Sequence, residues 1–269
     1  MTNERFLRQS FLGESGQEVI GRCLVGLVGL GGGGGHIALQ LAHVGFMNYV
    51  TYDADFAEDS NLNRLVIAIE ADVAAGTPKV EAAKRRILGV RGAAHVETYR
   101  CRWQERPEPL RACDLVFGCV DSFAERRELE ACCRRYLIPY IDIGMDLHQA
   151  GDEPPVMGGQ VILSMPNGPC MFCLGYLTEE KLGREAARYG AAGGRPQVVW
   201  PNGVLASTAV GVAVDLLTDW SRSLRGPVYL AYRGNDGTVV PHPRLVHFRG
   251  GACPHYPPDQ VGDPLFKRL

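Results

Sequence analysis

The stretch Cys23-Leu24-Val25-Gly26-Leu27-Val28-Gly29-Leu30-Gly31-Gly32-Gly33-Gly34-Gly35, running into His36-Ile37-Ala38-Leu39-Gln40-Leu41-Ala42-His43-Val44, decides the fold. A short apolar run ending in glycine reads as a buried strand. The residues after it have helical spacing, with Ile37, Leu41 and Val44 on one face. Between strand and helix, Gly29, Gly31 and Gly34 satisfy G-x-G-x-x-G, with Gly32 inside the motif. Glycine lets the backbone turn tightly and approach a phosphate, and the helix N-terminus beyond offers unpaired N–H groups. The next strand, Tyr49-Val50-Thr51-Tyr52, ends on Asp53, whose carboxylate suits the hydroxyls of a ribose. By itself this says adenine nucleotide, with a nicotinamide or flavin dinucleotide as the default. A glycine-rich turn without a ligand is the bland reading.

Working outward, residues 1–20 read as an amphipathic helical arm containing Phe6, Leu7, Phe11 and Leu12. TPKVEAAKRRIL reads as a helix with Pro78 in its first turn. HVETYR, DLVFGCV and PYIDIG read as strands, with AERRELEACCRRYL as a helix between the last two. Strand alternating with helix at this spacing predicts a Rossmann-like, doubly wound and mostly parallel α/β sheet with helices on both faces. The character changes after about Gly144. GDEPPVMGG reads as a loop, GGQVILSM as a strand and VLASTAVGVAVDLLTDW as an apolar helix. VYLAYR and TVV, joined through Gly-Asn-Asp-Gly, read as a hairpin, and LVHF as a further strand. The second half is an antiparallel extension of the same domain. The expected organisation is one domain over 1–269: the arm 1–20, a nucleotide-binding half 21–149, and a half 150–269 for partner binding and dimerisation.

Bulk composition narrows the classes. The 269 residues are 46% hydrophobic and 22% charged with a net charge of -2, which gives no argument for nucleic acid or an acidic membrane surface. The start MTNERFLRQS lacks the apolar core of a signal peptide, and no apolar run reads as long enough to span a bilayer, so a cytoplasmic protein is expected. Nine cysteines, an odd number and mostly scattered, fit a disulfide framework poorly. Cys23, Cys113 and Cys119 lie in strand-like runs and read as buried small hydrophobes.

Four further features separate hydride transfer from ATP chemistry. They are Arg5-Phe6-Leu7-Arg8-Gln9, Ser60-Asn61-Leu62-Asn63-Arg64, Thr77-Pro78-Lys79 and Cys119-Val120-Asp121-Ser122. A triphosphate attacked by a carboxylate needs cations, which Arg64 and Lys79 supply. Asp121, at the end of a strand, can hold a hydrated Mg²⁺. Asn61 can donate to a phosphate oxygen. Singly, each has a bland reading: Arg8 a solvated charge, Lys79 a surface lysine, Arg64 a turn cap, Asp121 a helix cap. Lys79 at a helix start sits against the dipole, which hints at an anion nearby.

In order and spacing these segments resemble the ThiF/MoeB/HesA family, relatives of the ubiquitin-activating enzymes. RFLRQ resembles its R-Y-x-R-Q, GLVGLGGGGG its nucleotide loop, YDAD with SNLNR its D-x-D…S-N-L-x-R, GTPK its G-x-P-K, and CVDS its C-x-D-N. The resemblance implies a homodimeric Rossmann-like module that uses ATP and Mg²⁺ to adenylate the C-terminal carboxylate of a ubiquitin-like or sulfur-carrier protein ending in glycine. It implies Asp53 on the ribose, Asn61, Arg64 and Lys79 on the phosphates, Asp121 on magnesium and Arg8 reaching across the dimer. The implied partners are that carrier, a second copy of the chain and a downstream thiol or sulfur donor, with neither nucleic acid nor membrane.

Cys170-Met171-Phe172-Cys173 has the spacing of half a zinc site. In the family the other half is a second C-x-x-C. Here the end reads Cys253-Pro254-His255-Tyr256, where tyrosine is a poor ligand. His255 can substitute, giving Cys₃His, His247 is a further candidate, and loss of the metal is the competing reading. A second departure is that no cysteine lies between Leu174 and Ala252, where some family members carry an acceptor cysteine. The loop LGREAARYGAAGGRPQVVWPNG, rich in Gly, Ala and Arg, reads as mobile. The activated carboxylate is therefore expected to pass directly to a partner, with Cys132 and Cys133 as outside candidates. Competing functions are adenylation of a peptide terminus or a tRNA-linked carboxylate, a scaffolding pseudo-enzyme subunit, and an NAD-dependent oxidoreductase.

Overall fold

A computed structural model describes residues 4–149, 151–187, 196–222, 224, 226–248, 250, 253–256 and 258–262. Eight strands form one sheet in the order β3-β2-β1-β4-β5-β6-β7-β8. The first five are parallel: β1 (Leu24–Val28), β2 (Asn48–Tyr52), β3 (His95–Tyr99), β4 (Leu115–Gly118) and β5 (Tyr140–His148). The last three are antiparallel: β6 (Val156–Ser164), β7 (Val228–Arg233) and β8 (Thr238–Pro241). This is the predicted doubly wound α/β architecture with its antiparallel extension. The order reverses at β1, flanked by β2 and β4, and open α/β sheets bind ligands beyond the carboxyl ends of strands at such a point.

One sheet face carries α2 (Gly32–Val44), α4 (Lys79–Val90) and α8 (Val199–Thr218). Ile37 and Leu41 of α2 and Leu205, Ala206, Ala209 and Ala213 of α8 are fully buried or nearly so against Val25, Leu27, Ile141 and Ile143. The small residues of α8 let it lie close to α2. The other face carries α5 (Glu108–Arg111), α6 (Phe123–Arg135) and the Met171–Leu177 segment, over Val116, Tyr140, Ile162 and Tyr229. Each buried leucine or isoleucine is worth about 1.5–3 kcal/mol. An ion pair between the buried Asp72 of α3 (Glu70–Ala74) and the half-exposed Arg85 of α4 fastens the long connection after β2 to the helix that follows.

Several boundaries differ from the sequence reading. The arm is a 3-10 segment, Glu4–Leu12, followed by α1 (Gly13–Arg22). β5 continues past Gly144 to His148 and pairs with β6 from Val156 onward, so only the tip of the expected GDEPPVMGG loop lies outside the ladder. VVWPNG is not loop: α8 starts at Val199, with Pro201 in its first turn, where its missing N–H costs nothing. Part of the expected mobile loop is helical, as α7 (Glu179–Ala187), while residues 188–195 lie outside the described set. LVHF lies mostly in a 3-10 turn, Pro243–His247, rather than a strand. α8 does have the length and composition of a membrane span, with a mean hydropathy of 1.2 over 18 residues, against the expectation of no such run. Its packing against α2 and β5 makes it a core helix.

Candidate functional site

The loop leaving β1 has no room for side chains. Gly29 has φ +86, and a Cβ there would come within 2.5 Å of the Cys119 carbonyl oxygen. A Cβ on Gly34 would lie 1.9 Å from the Gly29 carbonyl oxygen. The motif therefore folds back onto itself and onto the end of β4, aiming the N–H groups that open α2 into the crevice. Gly32 and Gly33 bring α2 against the buried Asn202 of α8, whose Nδ2 donates to the Val198 carbonyl at 3.0 Å.

Asp53 sits one residue past β2. Its Oδ2 accepts from Leu30 N at 2.7 Å and its Oδ1 from Asp55 N at 2.9 Å. Burial raises its pKa above the ordinary carboxylate value, while the Lys79 charge and these two donors pull it back. Lys79 opens α4 and is largely buried, its Nζ 2.8 Å from Asp55 Oδ2. The anion expected beside this lysine is thus, in part, the protein's own Asp55, which is 69% exposed and faces the crevice from the same turn. The Lys79 N–H also donates to the Asp55 carbonyl at 3.0 Å, so the two turns move as one.

The SNLNR segment follows. Arg64 donates from Nη1 to the Ser60 carbonyl and to Asn63 Oδ1, each at 2.9 Å, both neutral oxygens. Its stem packs against Gly32. Asn61 is half-buried beside it, its Nδ2 3.3 Å from Ser60 Oγ. Asp121, exposed beyond β4, accepts from Gln197 Nε2 at 3.4 Å. The Gln197 carbonyl accepts from Asn63 Nδ2 at 3.1 Å, so Gln197 bridges the two segments across the crevice. Behind Asp121, the buried Arg126 ion-pairs with Asp142, bonds the Val120 carbonyl and donates to Ile143 O at 3.0 Å. Tyr140 OH donates to the same carboxylate at 2.8 Å. Ser122 caps α6, accepting from Glu125 N at 3.0 Å. Glu185 of α7 accepts from Phe123 N and Ala124 N, both at 2.9 Å.

The glycines, Asp53, Asn61, Arg64, Lys79 and Asp121 thus all lie on the segments beyond the carboxyl ends of β1, β2 and β4, around the β1/β4 switch point. Arg8 does not join them. Its neighbour Gln9 donates to the carbonyl of Val44, the last residue of α2, at 2.7 Å. A helix of this length places that point about 20 Å from the glycine end. Sequence reasoning missed Asp55, Arg126, Asp142, Glu185, Gln197 and Asn202.

The cysteine pair finds its partners. Cys170 Sγ and Cys173 Sγ are 3.6 Å apart, Cys173 and Cys253 also 3.6 Å, and His255 Nδ1 lies 3.4 Å from both Cys170 and Cys173. Tetrahedral Zn²⁺ with Zn–S of about 2.3 Å and Zn–N of about 2.0 Å separates its ligands by about 3.5–3.8 Å. The donor set fits zinc, as Cys₃His, with His255 in the fourth position rather than His247. Tyr256 instead reaches inward, its OH 3.4 Å from Glu130 Oε2. The buried Glu130 also accepts from Met171 N at 2.9 Å and Ser164 Oγ at 2.6 Å, tying the cluster to α6. Cys119 is half-buried rather than buried, and burial raises its thiol. Burial also raises Cys132 to about 11 and holds Cys133 well above its ordinary value, so neither is a poised thiolate.

Known proteins are similar to this chain in sequence or in fold. The chain is 33% identical over 176 residues to the SAMP-activating enzyme E1 of Haloferax volcanii, covering 64% of this chain and 61% of that protein, so the match spans less than two thirds of that relative. It is 27% identical over 218 residues to the molybdopterin-synthase adenylyltransferase of Escherichia coli, covering 80% and 81%. The crystal structure of E. coli MccB with ATP shares the fold with a TM-score of 0.73 at 20% identity, covering 94% of this chain and 73% of that one. The profile of the ThiF family matches residues 4–249, from the 3-10 arm past β8. The chain belongs to the ThiF family.

Proposed function

We propose that the chain adenylates the C-terminal carboxylate of a ubiquitin-like or sulfur-carrier protein with MgATP. What supports this reading is the placement of Arg64, Lys79, Asp121 and the α2 N-terminus on the segments beyond the carboxyl ends of β1, β2 and β4, with Gln197 bridging Asn63 and Asp121. A dinucleotide needs one pyrophosphate cradle, whereas a triphosphate needs further cations and a metal carboxylate. Among the described residues Arg64 bonds the Ser60 carbonyl and Asn63 Oδ1, both neutral, which leaves its charge for a phosphate. Lys79 and Asn61 serve phosphate oxygens, Asp53 takes the ribose, and Asp121 would hold a hydrated Mg²⁺.

The carrier's carboxylate oxygen attacks the α-phosphorus. An acyl–O–P bond forms, the bond from the α-phosphorus to the bridging oxygen breaks, and pyrophosphate leaves with its charge neutralised by Arg64 and Lys79; Mg²⁺, which Asp121 would hold, would supply further charge neutralisation. No side chain serves as nucleophile, so catalysis is positioning and charge stabilisation. Arg8, remote from its own crevice, serves the site of a second copy in a homodimer. Residues 150–269 carry the carrier and dimer contacts, and the zinc cluster is structural. The reduced cysteines suit a cytoplasmic setting.

The reading is tested by ATP–pyrophosphate exchange with carrier proteins ending in Gly-Gly. Exchange dependent on the carrier and absent from Asp121→Ala supports it. Exchange driven by small acids, free peptides or tRNA points to another acceptor, and no exchange with any of them rejects it.

A further inference from the structure

An unbroken line of neutral amides runs from Arg64 to Asp121. Arg64 Nη1 donates to Asn63 Oδ1 at 2.9 Å, Asn63 Nδ2 donates to the Gln197 carbonyl at 3.1 Å, and Gln197 Nε2 donates to Asp121 Oδ1 at 3.4 Å. The two ends fix how each amide is turned. A guanidinium only donates and a carboxylate only accepts, so Asn63 gives its oxygen to Arg64 and Gln197 its nitrogen to Asp121. The line joins three segments that lie far apart in sequence: the turn after β2, the end of β4 and the approach to α8. That approach is itself held. The buried Asn202 of α8 donates from Nδ2 at 3.0 Å to the carbonyl of Val198, one residue beyond Gln197. A Cβ on Gly32 would meet the same amide nitrogen at 2.6 Å and the Arg64 stem at 3.5 Å, so Asn202 and Arg64 both pack on the glycine loop. Gln197 therefore hangs from a core helix.

The neutrality of the line carries the argument. A carboxylate at position 63 would pair with Arg64 and quench its charge. An ammonium at position 197 would pair with Asp121 and compete with a metal. An amide donates and accepts, so it holds both groups while neutralising neither. Asp121 is exposed, and among the described residues its hydrogen-bond partner is Gln197, at Oδ1. Oδ2 is left for a hydrated cation, which suits Mg²⁺ held through a single carboxylate.

We propose that Asn63 and Gln197 are positioning residues, which set Arg64 and Asp121 at a fixed separation before the nucleotide binds. The inference rests on the adenylation reading. Each residue acts through its charged neighbour. Arg64 is a long side chain that samples many rotamers when free, and Asp121 lies exposed beyond a strand end. Tied together, the two need no reorganisation when charge develops on the leaving pyrophosphate.

The test is calorimetric titration of the full chain with ATP, first without metal and then across a range of Mg²⁺ concentrations. Gln197→Ala removes the link to Asp121 and keeps the main-chain carbonyl that Asn63 uses. Its gain in ATP affinity at low Mg²⁺ should fall about fivefold, the scale of one hydrogen bond. Saturating Mg²⁺ should recover the parent's affinity, because the Asp121 charge is intact. Asn63→Asp keeps the shape but pairs with Arg64, so it should lower metal-free ATP affinity about tenfold, and more than Asn63→Ala does. A merely structural role predicts the reverse order, since aspartate is the closer isostere. Asn48→Ala is the control: that amide bonds the Gly21 and Arg22 carbonyls at the opposite end of β2, and its loss should change neither affinity. In a parent that binds MgATP, a full Mg²⁺ response by Gln197→Ala, or Asn63→Asp binding no worse than Asn63→Ala, overturns the proposal and leaves adenylation standing. A parent whose ATP affinity ignores Mg²⁺ overturns both.

Discussion

Asp55 holds the Lys79 ammonium at 2.8 Å while the Lys79 backbone N–H donates to the Asp55 carbonyl at 3.0 Å. The ammonium and its carboxylate are thereby one rigid unit beyond the end of β2. A lysine at a helix start opposes the dipole, and Asp55 offsets that. Lys79→Ala is expected to lower adenylation about 100-fold, the scale of losing one charge-stabilising donor. Asp55→Asn, which keeps shape and removes charge, should have a smaller effect. Steady-state exchange kinetics on the two variants check this, and equal losses would assign the main role to Asp55.

Arg126 joins α6, β5 and the residue before Asp121. Arg126→Ala leaves Asp142 buried and uncompensated, at a cost of about 3–5 kcal/mol. Chemical denaturation should show that loss. The double change Arg126→Met/Asp142→Asn should recover part of it, because the stranded charge is gone.

The four-donor cluster should bind one zinc per chain. His255→Ala and chelator treatment are each expected to lower the thermal midpoint, with the loss in the chelated protein reversed by added Zn²⁺. His247→Ala should leave metal content unchanged. Elemental analysis decides, and retention of full zinc by His255→Ala would refute the ligand set.

Asp72 has its pKa lowered to about 2, first by its hydrogen bonds from Arg85, against an ordinary 3.8. A depressed folded pKa contributes stability that is complete above about pH 4 and lost as pH falls toward 2. The contribution is no more than about 2 kcal/mol, since Arg85 is 48% exposed and water screens the pair. Asp72→Asn should therefore destabilise at neutral pH and flatten the acid limb of the stability curve. An unchanged acid limb would show that other carboxylates set it.

β1 and β4 were legible as short apolar runs that lead into the helices α2 and α6, β2, β3 and β5 by their Val, Ile, Thr and Tyr residues, and the glycines after Val28 leave one geometry open. Asp53 was legible for the same reason, since it ends a strand at a fixed distance from that loop. Gln197 and Glu185 were not. Each meets its partner across more than sixty residues of chain, and nothing local distinguishes them from surface polar residues. The start of α8 did carry a signal, Pro201 in the first turn, but the following Asn-Gly reads more strongly as a turn. The extension of β5 was hidden by Gly144, although Met145 to His148 alternate as a strand does. His255 was legible only as an alternative, because the fourth zinc position depends on a chain reversal after Cys253 that spacing does not reveal.

The central claim is that the crevice neutralises a triphosphate. Calorimetric titration with ATP, with and without Mg²⁺, and with NADH tests it most directly. The account predicts ATP binding that strengthens with Mg²⁺ and weakens in Arg64→Ala and Asp121→Ala, with NADH binding far more weakly. Tight NADH binding, or ATP binding indifferent to Mg²⁺ and to both substitutions, would contradict it.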